Sequence, residues 1–506
     1  MELFSRHWLI VAHIKEIGFY DIAQQYSIIT TKKAYGMFND KNYQSALNTF
    51  YSEIRQINDL EAIYNFVTIG YVYDTKLKQQ VKKSLTLLQK GHILKENSEF
   101  AKALILLIKE KETKENLEKA KTILQHMQAM GLTPAMKNLL LGYVYHRLLE
   151  LSHKDNGEYD VTLYKKAHYQ YMLALDLAYD NQRIQSAVLE NLGMLHFSVG
   201  NYALSTHFFA QRSTLPFLNI QSEASFRWHF ARALFYYNHY KQAKEEGDKA
   251  YKLAQKAHRD VIAFMQQDAF YNLYAQEYEQ ASFLYQKVIK NLQGINRAKA
   301  LLGYGYSLKK LHKCKQATKQ FQKLLQLTPS LEHLPKNRYR LIDFEPKRLE
   351  LLAYGFLVSC ETDRKKQQSY LAKRVKILKD MKGNVSDFAY DEKTRLEFLI
   401  KTLQQEAVIY EKEKELNKMG KVMSEALQLL PLYIKEGGAY SSQVMLRTLD
   451  NYLALSILYP KAFHQEEKPL AKSLTTKTIQ ALTYPNYTPP LIKMEQKKLQ
   501  KLLTKF

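Results

Sequence analysis

The sequence predicts an all-α protein assembled from stacked helix–turn–helix repeats, and three observations carry that prediction. Small residues recur in phase: Ala167, Ser205, Ala243, Ala281 and Ala317 stand 38, 38, 38 and 36 residues apart. Around them the other positions keep step. Three residues earlier come Tyr164, Tyr202, Tyr240 and Tyr278, with Cys314 breaking the row. Four residues later come Tyr171, Phe209, Tyr285 and Phe321, with Gly247 out of type, and about twelve residues earlier lie Gly193, Ala231, Ala269 and Gly305. A fixed period of this size is the mark of a stacked array. Composition agrees: 18 Gly and 11 Pro in 506 residues are too few for the turns of an all-β chain, and helix-compatible Leu, Lys, Gln, Ala and Glu dominate.

The pattern has a packing cause. Small residues such as Gly193 on a first helix and Ser205 on a second let two axes approach, and aromatics such as Tyr202 and Phe209 fill the space beside them. One pair cannot bury its own apolar face, so neighbours must stack. The run from Asn191 through Leu192, Gly193 and Gly200-Asn201-Tyr202 to Ser205 resembles a tetratricopeptide repeat. Leu302-Gly303-Tyr304 through Ala317, Phe321 and the closing Pro329 is similar. The period departs from the family's about 34 residues, which implies longer helices or turns. The resemblance implies a right-handed α–α superhelix whose concave groove is lined by first helices.

Taken in order, residues 1–20 read as a lead-in helix and Ile22–Phe38 as a first repeat helix. A turn at residues 39–42 precedes Tyr43, Ala46 and Phe50 in repeat phase. Ile69–Tyr73 and Val81–Leu88 suggest another pair, and Gly131–Pro134 stops one helix and restarts the next. Leu141-Gly142-Tyr143 opens the regular stretch, after which residues 152–157 form a polar insertion. Pro329, Pro335 and Pro346 punctuate the clearest boundary. Beyond it we expect helices at Arg348–Cys360 and Gln367–Met381, a loop at 383–387, and one long charged helix at Glu392–Lys418. Helices at Val422–Ile434, Ser442–Leu458 and Leu470–Leu482, an extended stretch at 484–490 and a basic end helix from Leu491 follow. Four regions result: degenerate repeats over 1–140, regular repeats over 141–329, a basic helical segment over 330–382, and an irregular helical part over 383–506.

No catalytic or cofactor motif survives inspection. Gly303-Tyr304-Gly305 lacks the third glycine of a dinucleotide fingerprint and lies within a helix pattern. Gly420-Lys421-Val422 lacks the upstream glycine and the Ser/Thr of a phosphate loop. His312 and Cys314 are too few for zinc, so neither a metal nor another cofactor is expected, nor an enzyme. Cys314 and Cys360 are the only cysteines and cannot form a disulfide framework, which suits a reducing compartment. The apolar run Trp8–Ala12 is too short for a signal or a bilayer span. A cytoplasmic protein is expected.

The resemblance places Glu190, Met194 and Phe197, then Trp228, Arg232 and Phe235, then Gln266 and Phe270, then Tyr306 and Lys309 on the groove face. Aromatic and apolar side chains there suit a docked peptide or helix. The Lys/Asn constellation with which chaperone-tail receptors of this family grip a carboxylate is absent at Glu190/Met194, Trp228/Arg232 and Gln266/Phe270. Charge suggests a second surface. The chain carries +24, and from Lys309 to Lys382 it holds 19 Lys/Arg against 7 Asp/Glu, half of that excess. Lys315, Lys319 and Lys323 form one helical stripe, extended by Arg338, Arg340, Lys365, Lys366 and Arg374. The expected function is a non-enzymatic scaffold for a protein or peptide partner, one that an acidic character would suit. The alternative is a helical-repeat nucleic-acid-binding protein using the basic 309–382 segment.

Overall fold

A repeat of 38 residues has room for two helices of about four turns and two short turns, and this is what the chain forms. The computed structural model describes residues 37, 42–57, 66–67, 75–89, 95–107, 113–127, 133–152, 159–178, 182–217, 220–257, 261–331, 346–381, 392–483 and 489–506. The expected elements at 1–20, Ile22–Phe38 and Ile69–Tyr73, the insertion after Ser152 and the loop at 383–387 lie wholly or mostly outside these residues, as do Pro335, Arg338, Arg340 and residues 484–488. The regular structure among the described residues is helical, with no strand.

The helices are α1 (Tyr43–Ile57), α2 (Lys78–Gln89), α3 (Lys95–Leu107), α4 (Lys114–His126), α5 (Thr133–Leu151), α6 (Val161–Leu177) and α7 (Gln182–Ser198). They continue as α8 (Tyr202–Ser213), α9 (Ile220–Tyr236), α10 (Tyr240–Lys256), α11 (Ile262–Tyr274), α12 (Tyr278–Val288), α13 (Gly294–Lys310) and α14 (Cys314–Leu327). The remainder are α15 (Pro346–Cys360), α16 (Arg364–Asp380), α17 (Glu392–Lys412), α18 (Leu416–Lys435), α19 (Gln443–Leu458), α20 (Lys468–Ala481) and α21 (Pro490–Lys505). Two compact units divide the chain, Met1–Tyr271 and Asn272–Phe506.

Within each unit a helix packs on the next and on the one after it: α5 on α6 and α7, α13 on α14 and α15, α17 on α18 and α19. That is tetratricopeptide-like stacking, and the phased residues produce it. Ala167, Ser205, Ala243, Ala281 and Ala317 are all fully buried. The Ser205 hydroxyl donates to the Gly193 carbonyl at 2.8 Å, so the two axes touch at that point. A Cβ on Gly193 would stand 2.6 Å from the Phe209 ring, and one on Gly305 2.5 Å from that of Phe321. Gly247, which breaks the aromatic row, is compensated from the next helix: the buried Tyr271 ring lies 2.6 Å from where its Cβ would be.

The turns inside the pairs share one geometry. Gly200, Asn238, Gln276 and His312 adopt φ of 79°, 63°, 68° and 60°. At each, two backbone N–H groups fold back onto the last helical carbonyls, as when Asn201 donates to His196 at 2.9 Å and Gly200 to Phe197 at 3.1 Å. The same turn occurs at Lys414, with φ 59° and Glu415 donating to the Tyr410 carbonyl at 2.8 Å. The single long helix expected over Glu392–Lys418 is therefore two, α17 and α18, folded into a hairpin. Five consecutive charged residues from Glu411 to Glu415 conceal the break, because a left-handed residue need not be glycine. In unit two one core of α13, α14 and α15, which includes both Leu324 and Leu349, runs across the proline-punctuated boundary.

Candidate functional surfaces on the first helices and the basic segment

The first helices α7 and α9, and α11 as far as Tyr271, belong to unit one, and their period sets the same two positions on each: Glu190/Met194, Trp228/Arg232, Gln266/Phe270. The structure separates these residues by burial. Glu190 is 4% exposed and faces the fully buried Arg212, whose Nε stands 3.6 Å from the Glu190 carboxylate. The Arg212 guanidinium also lies 4.2 Å from the Phe217 ring centre and donates to the carbonyls of Leu215 and Pro216 at 3.2 and 3.3 Å. Glu190 thus neutralises a core cation and is not offered to a partner. Phe197 and Phe235 are likewise buried. Phe197 packs edge-on against Tyr202 and Tyr236, and Phe235 lies 4.9 Å from Phe270. These three are structural members of the array, a correction to the groove expected from sequence.

Met194, Trp228, Arg232, Gln266 and Phe270 are half-buried and keep some accessible area on the faces of α7, α9 and α11. Trp228 meets Phe264 edge-on at 4.4 Å, so its indole both bridges α9 to α11 and keeps exposed area. The Arg232 guanidinium sits 5.2 Å from the Phe197 ring centre. Stacking on a ring face uses the cation's π contact and leaves the in-plane N–H donors for an acceptor. Beside this row lies a pair of carboxyl groups that sequence reading missed. Asp268 of α11 is 3% exposed and hydrogen-bonds Asp248 of α10, which Lys244 holds at 3.0 Å. Burial first, and then the neighbouring Asp248 carboxylate, push the Asp268 carboxyl up to about 8, against the weaker pull of Lys244 and Lys252. Nothing local in sequence marks the pair, because its members meet only when α11 packs on α10.

In unit two, Tyr306 and Lys309 of α13 converge on a ring that sequence reasoning did not single out. Tyr306 lies 4.9 Å from Phe356 of α15, and the Lys309 ammonium 5.4 Å from the same ring. On α14, Lys315, Lys319 and Lys323 are at the surface, and that helix contains no acidic residue. On α16, Lys365 and Lys366 are exposed beyond the Asp363 cap, whose carboxylate accepts from their backbone N–H groups at 2.9 and 3.2 Å. Arg374 is different. It is half-buried with its guanidinium against Gly355 and donates to Gln405 at 3.4 Å, so it braces α16 against α15 and α17. Tyr370 is half-buried beside Tyr354, with 6.1 Å between ring centres.

Among the described residues no group of three or more His, Cys, Asp or Glu is disposed to hold a metal ion. No described helix is long and apolar enough to cross a membrane.

No protein-family model and no curated protein matches the chain. Similar solved structures include the apo form of the quorum sensor NprR from B. thuringiensis, 12% identical over 78% of this chain and 99% of that one, with a TM-score of 0.44. The apo form of RapI is 14% identical over 78% and 99%, at 0.45. The tetratricopeptide domain of P58(IPK) is 12% identical over 94% and 97%, at 0.28.

Proposed function

We propose that this chain is a non-enzymatic interaction protein that holds a polypeptide segment along the first-helix faces of its repeats. Trp228, Arg232, Gln266 and Phe270 form the binding row, with Met194 at its edge. The observation that carries the reading is the repetition itself: the successive first helices α9 and α11 offer half-exposed side chains at the same two positions, 38 residues apart, and α7 offers Met194 at the second of them. Such a ladder suits an extended or helical segment that presents side chains at regular intervals. Arg232, held by its ring contact, supplies donors for a carboxylate or backbone carbonyl. Trp228 and Phe270 supply apolar area, so the preferred ligand pairs an acidic residue with a large apolar one.

A peptide array probed with the full chain tests this. Arg232→Ala and Gln266→Ala are the variants of choice, because Trp228 also packs on Phe264 and its removal would confound binding with stability. Peptides selected by the native chain should lose about tenfold or more in affinity for Arg232→Ala, the scale of a charge-assisted hydrogen bond at about 1.5–3 kcal/mol. Retained affinity in both variants, with unchanged helicity, would remove the row from the binding surface.

A second reading is supported by the composition of α14 and α16. Between them they carry ten Lys/Arg and one acid, Asp380. Arg364 is ion-paired with Glu413 and Lys379 with Glu425, while Lys319, Lys323, Lys365 and Lys366 lie along the surface of the same two helices. A polyanion such as a nucleic-acid backbone would meet this charge without requiring base contacts.

A further inference from the structure

The chain's only two cysteines are 46 residues apart in sequence, yet the fold brings them together. Cys314 is the first residue of α14 and Cys360 the last of α15. The two helices pack against each other with the Phe321 and Phe356 rings 5.4 Å apart, and Cys360 lies against the apolar cluster that holds Ala317, one turn after Cys314. The Cys314 side chain is close enough to that of Cys360 to perturb it, and both residues are partly exposed. We infer that Cys314 and Cys360 form a peroxide-sensitive dithiol that closes to an intramolecular disulfide, stapling the α13–α14 hairpin to α15.

The chemistry needs an oxidant of the peroxide class and balances with one equivalent. The Cys314 thiolate attacks one oxygen of hydrogen peroxide and the O–O bond breaks. With one proton taken up this leaves Cys314 sulfenic acid and water. The Cys360 sulfur then attacks the sulfenic sulfur, the S–O bond breaks, and the hydroxyl departs with the Cys360 proton as a second water. Two thiols are oxidised and one peroxide is reduced.

The order follows from the surroundings. Burial, and then the neighbouring Cys314 side chain, push the Cys360 thiol up to about 12, while Lys309 pulls weakly the other way. Cys360 therefore stays protonated and resolves what Cys314 begins. Neighbouring sulfurs must approach to the bonded separation of about 2 Å. Side chains at two helix termini can supply it by rotation. The neighbourhood is otherwise firm: Phe356, one turn before Cys360, is held by Tyr306 at 4.9 Å and Phe321 at 5.4 Å.

The test treats the native chain with stoichiometric hydrogen peroxide, alkylates it under native and then denaturing conditions, and measures intact mass. The reduced protein should take two alkyl groups. The oxidised protein should take none, weigh two hydrogens less and yield a cross-linked peptide pair joining Cys314 to Cys360. Its Tm should rise by several degrees and fall back on reduction, because the bond constrains the unfolded chain. In Cys360→Ser, Cys314 should be trapped by dimedone after peroxide, whereas the native chain should show no dimedone adduct. Two alkylatable thiols after peroxide, a bond between chains, or a dimedone adduct on native Cys314 beside a free Cys360 would each overturn the assignment.

Discussion

At the scale of single residues, burial sets the chemistry of the array more than exposure does. His196 is fully buried, stacked on Phe208 at 5.3 Å with the Tyr164 hydroxyl 3.3 Å from its Nδ1. Burial, and then His168, hold it down at about 4. Asp268 is displaced in the opposite sense, up to about 8. In the unfolded chain a carboxyl ionises near its ordinary value of 3.8, while in the fold Asp268 keeps its proton to about pH 8. The folded state therefore binds more protons across that window, and stability contributed by Asp268 is present below about pH 4 and lost as pH rises through 8. Asp268→Asn keeps a permanent donor toward Asp248 and removes the titration. It should leave Tm unchanged at pH 4 and raise it progressively toward pH 8. Relief of even about 1 kcal/mol would appear as roughly 2–4 °C. Parallel pH profiles for native chain and variant, measured by thermal denaturation, would refute the shift.

At the scale of the element, the turn inside each pair matters more than the amino acid that occupies it. Gly200 bears the left-handed conformation at no steric cost, whereas Gln276, His312 and Lys414 bear it with a Cβ. A non-glycine residue there costs roughly 1–2 kcal/mol, part of which glycine's own chain entropy offsets. Lys414→Gly should therefore stabilise the chain by about 0.5–1 kcal/mol, and chemical denaturation would measure it. Lys414→Val, adding β-branching at the same φ, should destabilise. If glycine gave no gain and valine no loss, the α17–α18 hairpin would not turn at Lys414. The geometry also explains why the sequence hides this hairpin. Turns announced by Gly200-Asn201 or Asn238 are recognisable, but one written as Lys-Glu-Lys-Glu looks like the middle of a charged helix.

At the scale of the whole molecule, the charge excess is concentrated, and its consequence can be measured apart from the peptide-binding row. Should α14 and α16 bind a polyanion, the association constant of the native chain for a single-stranded oligonucleotide must fall linearly with salt on a logarithmic plot. Replacing Lys319 and Lys366 with Ala should lower the slope by roughly 0.7 for each phosphate no longer neutralised. A salt-independent constant, or a slope unmoved by both changes, would exclude these helices as the binding surface.

The all-α class and the phase of the helix pairs were legible in the chain alone, because small and aromatic residues at a 38-residue period are local signals of helices that must approach closely and stack. Trp228 and Arg232, Gln266 and Phe270 could be placed on successive first helices for the same reason. Periodicity could not say which side chains would satisfy one another across helices. Glu190 reads as a groove residue until Arg212 is seen buried against it. Gly247 reads as a defect until Tyr271 fills its place. Asp248 with Asp268, and Cys314 with Cys360, are pairs that exist only once helices lie side by side. Their contacts arise from packing between elements, where burial and proximity depend on neighbours that no single stretch of sequence contains.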